Sequence, residues 1–593
     1  MESLAFGKWD YTVFGIMVAV SVSIGIYYAI VSRSSRLDEY LLAGRSMTCL
    51  PVALSLMATF TSSITMLGAS AEAYGHGIMW ILSEMAFSVG NLLEIFLLLA
   101  LLRRLNISSP FQFLEGRFKC KVLRLIVTVI ACIENLFYLG IILFGQGLAL
   151  EAVTGFSMTW SILVTSAAAV LYTTIGGLKA VIWTDVLQYL LMFIGMLAVI
   201  IKGTIDIGGI EEVWSRIMDG GRLTFIFDID PTIRHTVWNL SLGRVVTGLG
   251  WLFKPAYLQR ITSTKSLTQA RRAMLLGLLF SPSFASLSVI SGLLAYGYYD
   301  YKRCDPLASS QITNLDQVLP FMMLDIFRNL PGMPGLFLAA IFSASLSSLS
   351  SGVSALANIT WEDFIKPYAA QMSDVRKLIL VKIAVATWGV MICCLALVVS
   401  YMGSTSMLQI YYSASSVTAG PVTGLFYLGA LFPFVNTRSA VLALLTGLSF
   451  LTWLAVGASV STGVRQTPLL PPAPTDHCPS GNVSMLYSVT VTNNNTVMST
   501  SSTDHDFQQF TGSGLDAFYS LSYTLYQCFG FIIVLAVGMV LSLVTGGNRD
   551  GVNPLYVRKY VREQEDEFVM TDGSQMRKGG CKDKQLVETL STH

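Results

Sequence analysis

PGLFLAAIFSASLSSLSSGVSALANI, Pro334 to Ile359, is long and apolar enough to cross a bilayer and contains no charged residue. It nevertheless carries seven serines, at 343, 345, 347, 348, 350, 351 and 354. A helix that only had to sit in lipid would use Leu and Val. Two readings stand. Ser343, Ser347, Ser350 and Ser354 fall on one helix face, where small residues let helices approach closely. Alternatively the adjacent hydroxyls of Ser347 and Ser348, with the Ala344 carbonyl one turn earlier, offer hard oxygen ligands to a small cation such as sodium.

The rest of the chain shares the character of this segment. Of 593 residues, 53% are hydrophobic and 12% are charged, against about 25% charged in soluble domains. Mean hydropathy is +0.61. Apolar runs of roughly 20 residues, the length that crosses the hydrocarbon core, recur along the sequence. They predict an all-α polytopic membrane protein with about thirteen transmembrane helices. The spans lie at 11–31, 50–73, 79–101, 123–148, 158–176, 182–204, 236–258, 274–299, 334–358, 378–400, 407–433, 439–458 and 517–545. The first run is too long for a signal-peptide core.

Lys and Arg set the orientation. With the N-terminus outside, most of them fall on the cytoplasmic side, including the polar tail 546–593. The loop 459–516 is then extracellular. It holds two glycosylation sequons, at Asn482 and Asn494, which require an exposed lumenal loop. Cys304 and Cys478 share that face and either pair as a disulfide or remain thiols. The expected location is the plasma membrane, and oligomeric state is left open.

A net charge of +2 argues nothing about nucleic acid or acidic partners, and no nucleic-acid partner is expected. Five histidines and nine scattered cysteines show no metal-ligand spacing. No GxxxxGK[ST] phosphate loop is present, so no enzyme and no organic cofactor are expected. The expected partners are the bilayer, a small solute and Na⁺.

LPVALSLMATFTSSITMLGASAEAYGHG (50–77) mixes hydroxyls and Gly68 into a span. Interrupted helices at membrane depth mark transporter sites, often as a pair in two inverted repeats. The sequence suggests this span and the serine-rich one as that pair.

Four stretches carry a resemblance. GGLKAVIWTDVLQ (176–188), DEYLLAGRSM (38–47), YLQR (257–260) and the serine-rich segment resemble the sodium:solute symporter family. The branch is similar to the iodide, monocarboxylate and multivitamin transporters. The resemblance implies a LeuT-like fold with an inverted five-plus-five repeat, here about 50–204 and 236–433, within a transmembrane domain spanning 1–545. It implies a sodium site formed by carbonyls near Thr59 and Ser62, the carbonyl of Ala344 and the hydroxyls of Ser347 and Ser348. Asp185 is expected near that site or its cytoplasmic exit. The other reading makes it a structural acid paired with a base.

The resemblance further implies a substrate cavity lined by Phe60, Thr65, Glu84, Phe87, Trp251, Lys254 and Tyr412. Thr65 resembles the monocarboxylate and multivitamin pattern, where an iodide-type chain would carry Gln. The chain also departs from the branch. Lys254-Pro255 stands where Asn-Gln is usual, Glu84 adds an acid, and Phe144 replaces a Tyr, which weakens the case for a second sodium site. Glu134 and Arg244 place further charges at membrane depth, where unpaired charges cost a few kcal/mol or more. Lys254 therefore calls for Glu84, Glu134 or a substrate carboxylate as partner, unless it snorkels to the cytoplasmic face. The implied function is sodium-coupled import of a small organic anion, a monocarboxylate or vitamin-like solute, by alternating access. Iodide or another small anion is the alternative within the class. A non-concentrative sensor or channel-like protein is the alternative outside it.

Overall fold

The computed structural model describes residues 7–31, 37–400, 407–461, 464, 467–478, 514–548 and 553–557. Asn482, Asn494 and most of the tail lie outside the described residues. Among the described residues there is no strand; the β pattern is confined to a bridge between Met47 and Thr264.

The principal helices, in chain order, are α1 (Lys8–Val31), α2 (Cys49–Phe60), α3 (Ala69–His76), α4 (Ile81–Glu94), α5 (Lys121–Thr154), α6 (Met158–Ile207), α7 (Val237–Leu249) and α8 (Pro255–Thr262). They continue with α9 (Leu267–Lys302), α10 (Met333–Ile359), α11 (Asp374–Val399), α12 (Met407–Leu431), α13 (Thr437–Val460) and α14 (Tyr526–Val544).

Every expected span falls on helix, and by length and composition alone the tally is below thirteen. Among the described residues, nine helices are long and apolar enough to cross a membrane, or ten if α2 and α3 form one bent span. Three features separate that tally from thirteen. The spans at 158–176 and 182–204 both fall within α6, two helices that meet at a break at Gly177 (φ 65°, ψ −173°), and 50 residues is long enough for two crossings. There a Cβ would also meet Tyr40 Cδ2 at 2.8 Å, so only glycine fits without strain. The span at 236–258 is interrupted between α7 and α8. In α12, polar and small residues replace much of the greasy surface.

The serine-rich helix α10 lies at the centre. Its apolar window is 94% buried, against 22% for α11 and 17% for α1, whose side chains face outward. This explains why α10 can carry serines: it meets protein, not lipid. Small residues also let its neighbours in. A Cβ on Gly352 would stand 2.5 Å from Leu139 of α5, and one on Gly195 of α6 would stand 2.7 Å from Ala340. The packing reading of these serines therefore holds for much of the helix.

The expected pair of broken helices is half right. The chain bends by 63° between α2 and the helical stretch Ile64–His76. Its counterpart is not α10, which is continuous, but the α7–α8 break, where Gly250 ends α7 and Pro255 starts α8. Proline suits a first helical turn because the N–H it lacks would be unpaired there. Ser266 caps α9 by accepting from Gln269 N–H, and the Gln269 side chain in turn accepts from Cys49 N–H at the start of α2.

At the α3 end of the broken span, Arg234 holds Glu72 through two bonds (2.9 and 3.0 Å) and Gln409 through a third (2.6 Å). Residues 467–478 return to the same end. Leu470 N–H donates to the Gly75 carbonyl, and Ala473 N–H donates to Asp305. Cys478 is disulfide-bonded to Cys304. Next to it Arg303 donates to Asp476 and holds that carboxyl below the ordinary carboxylate range.

Candidate functional site

The site begins where α2 stops. Thr61 N–H still bonds the Met57 carbonyl (2.8 Å), but Thr61 itself leaves helical geometry (φ −90°, ψ 88°). The carbonyls of Ala58 and Thr59 then accept from α10 instead. Ser347 Oγ donates to Ala58 O (2.7 Å) and Ser348 Oγ to Thr59 O (2.7 Å). Both hydroxyls also lie 3.1 Å from the Ala344 carbonyl. Three carbonyls and two hydroxyls thus converge in a fully buried knot. Each hydroxyl keeps lone pairs while it donates. An all-oxygen set at a helix break suits a small hard cation.

The structure brings together Thr59, Ala344, Ser347 and Ser348 of the expected sodium residues and adds Ala58. The Ser62 carbonyl accepts Met66 N–H at 3.0 Å as the helix resumes. Ser62 instead faces the neighbouring cavity. The Tyr138 hydroxyl stands beside the side chains of both Ser62 and Ser348 and so connects cavity and knot.

Asp185 lies one helical turn away. Its Oδ2 accepts from Ser55 (2.6 Å) and from Arg260 Nη2 (2.9 Å), and both members of the ion pair are 0% exposed. Arg260 also donates through Nε to Ser55, through Nη1 to the Ala256 carbonyl and through Nη2 to Ser351. Thr59 Oγ1 bonds Ser351 at 3.0 Å. Asp185 therefore touches the knot through Thr59 and Ser351, and its charge is answered by Arg260.

Beside the knot is a cavity of about 60 Å³, lined by Phe60, Thr65, Glu84, Phe87, Trp251 and Tyr412 together with Tyr138, Asn91 and Arg244. The Trp251 ring packs 4.8 Å from those of both Phe60 and Phe87. Six of the seven expected substrate residues share this space. Lys254 does not. It pairs with Glu134, which also accepts from Ser415 (2.7 Å), and it lines an adjoining cavity beyond Trp251. Its partner is therefore Glu134 and not Glu84.

Glu84 pairs with Arg244 (Nη2 to Oε1, 2.8 Å). The guanidinium lies 4.8 Å from the Tyr412 ring and 5.3 Å from the Phe87 ring. Its Nε and Nη1 are buried and make no hydrogen bond among the described residues, although the Tyr412 hydroxyl stands beside the guanidinium. A buried unsatisfied donor costs about 1–3 kcal/mol, and more on a charged group. In the sequence Arg244 stood out only as a charge in an apolar segment, and Arg260 only as part of a motif. Neither showed which acid it meets.

The model of the sodium:solute symporter family matches residues 40–447. The chain belongs to the sodium:solute symporter family. Within this family it is 38% identical to "Sodium-coupled monocarboxylate transporter 2" of Danio rerio, over 92% of this chain and 86% of that protein. It is 35% identical to "Sodium-coupled monocarboxylate transporter 1" of Homo sapiens, over 93% of this chain and 90% of that one. The "Sodium-dependent multivitamin transporter" of Oryctolagus cuniculus is 35% identical, over 92% of this chain and 83% of that one. Among solved structures, a Na⁺-coupled sialic acid symporter superposes with a TM-score of 0.72 at 20% identity, over 91% of this chain and 98% of that one. That likeness concerns the fold, a LeuT-like helical transporter fold. This family member is accordingly a multi-pass membrane protein, and its family and relatives are transporters, not enzymes.

Proposed function

We propose that the chain is a sodium-coupled symporter that imports a small monocarboxylate by alternating access. The observation that carries this reading is the oxygen knot of Ala58, Thr59, Ala344, Ser347 and Ser348, set one residue from the cavity wall. Thr59 contributes a carbonyl to the knot, and Phe60, the next residue, lines the cavity. A sodium ion drawing α2 and α10 together at the knot therefore also sets the position of that wall. Tyr138 is the second link. Each positive charge moved inward through 100 mV contributes about 2.3 kcal/mol, which drives concentration of the solute.

The size of the cavity supports a small acid over a vitamin. At 60 Å³ it holds about four to six waters, which suits lactate or propionate better than biotin. The names of the relatives point the same way, and Thr65 argues against iodide. The N-terminus is outside and the tail inside, at the plasma membrane. The loop 459–516 is extracellular and carries glycans on Asn482 and Asn494.

Uptake and current in oocytes test the proposal, with sodium and then with choline in its place, across lactate, propionate, nicotinate, biotin and iodide. Sodium-dependent accumulation of a monocarboxylate that Ser347→Ala and Ser348→Ala weaken by raising the sodium requirement supports it. A sodium current without accumulation would point to a sensor or channel-like protein.

A further inference from the structure

We propose that Arg244 is the anchor for the carboxylate of the transported solute, with Glu84 as the partner that holds it in place until the solute arrives. This rests on the symport reading above and adds a residue to it. Among the groups lining the cavity, Arg244 is the sole cation and Glu84 the sole acid. A guanidinium has five N–H donors. Here Nη2 bonds Glu84, while Nε and Nη1 leave three donors unpartnered in a side chain that is 5% exposed.

The surroundings keep those donors from finding acceptors on their own. The rings of Phe87 and Tyr412 flank the guanidinium, so rotation would cost cation–π contact on both sides. Arg260, in contrast, has acceptors for all three nitrogens. The unsatisfied group is the one that faces a cavity, and a carboxylate is the acceptor that matches a guanidinium in geometry and charge.

Charge balance couples this anchor to sodium. Glu84 and Arg244 cancel, so a lone anion in the cavity is uncompensated. A sodium ion in the knot beside Tyr138 restores neutrality. The arrangement therefore selects monoanions and favours their arrival together with sodium.

The test uses purified full-length chain, as Arg244→Gln, Arg244→Lys and the unaltered protein. Sodium-dependent melting shifts show that each variant folds and keeps its cation site. Affinities for propionate and for its uncharged analogue propionamide then come from ligand-dependent melting shifts in sodium, and KM and Vmax from propionate uptake into proteoliposomes. The expected result is a fall of about ten- to hundredfold in the preference for propionate over propionamide in Arg244→Gln. Arg244→Lys keeps the charge and should raise KM with Vmax within about twofold. An unchanged preference, or an unchanged KM in Arg244→Lys if Arg244→Gln does not fold, overturns this inference alone. No sodium-driven propionate uptake by the unaltered chain overturns the symport reading and this inference with it.

Discussion

Two arginines meet two acids inside this protein, and they do so in opposite ways. Arg260 and Asp185 are sealed from solvent, and each Arg260 nitrogen has an acceptor on α2, α6, α8 or α10. Arg244 and Glu84 share one hydrogen bond at a cavity wall, and two Arg244 nitrogens have no partner. The first pair ties helices together. The second is incomplete without a further anion. Burial alone does not separate the two, since both guanidinium groups are nearly inaccessible. What separates them is how many donors are satisfied. A saturated charged group is part of the scaffold, whereas an unsaturated one beside a cavity is poised for a ligand.

This contrast can be broken at several points. The largest effect is expected from Arg260→Gln, which strands Asp185 in the interior. Breaking a buried pair from one side costs about 3–5 kcal/mol. The melting temperature and folded yield in detergent should fall far more than for Arg244→Gln. Equal losses would erase the distinction between scaffold and site.

Next comes the knot. Ser347→Ala with Ser348→Ala removes the donors to the Ala58 and Thr59 carbonyls and, on the proposed reading, two cation ligands. The sodium concentration for half-maximal uptake should rise at least about tenfold, equivalent to 1.4 kcal/mol. A sodium titration of uptake checks this. An unchanged titration would move the cation site elsewhere.

The smallest effect is expected at Lys254 and Glu134, an ion pair that keeps some exposure on both side chains (19% and 12%). Replacing both, as Lys254→Met with Glu134→Gln, should change stability by less than about 1 kcal/mol, because neither charge is left alone. It should also leave the propionate preference intact. A lost preference would place the anchor at Lys254 and not at Arg244.

Much of this molecule was legible before any coordinates. That the serine pair lies beside the Ala344 carbonyl was readable from chemistry and spacing along one helix, and Thr59 came from the resemblance; the structure gathers these four residues. Six cavity residues came from resemblance and do gather in one space. One reading missed, and two others were left open by the sequence. The serine-rich α10 was paired with α2–α3 as a broken helix, because hydroxyls and glycine resemble a break when read in one dimension. For Lys254 the sequence left Glu84 and Glu134 open, and the fold pairs it with Glu134. For Ser62 it named a nearby carbonyl, and the fold shows that carbonyl accepting Met66 N–H while the side chain faces the cavity.

The sequence by itself determined that this protein spans a membrane and, through its short motifs, which family it resembles. The first follows from composition and apolar run length, the second from those motifs, and all of these are local. Only the tertiary structure decided which charge meets which. Asp185 and Arg260 are separated by 75 residues, Glu84 and Arg244 by 160, and Glu134 and Lys254 by 120. Pairing across such distances depends on helix crossings and on the side of a ring where a long side chain comes to rest. Water is scarce there, so each unpaired charge is costly, and the packed bundle alone selects the partner.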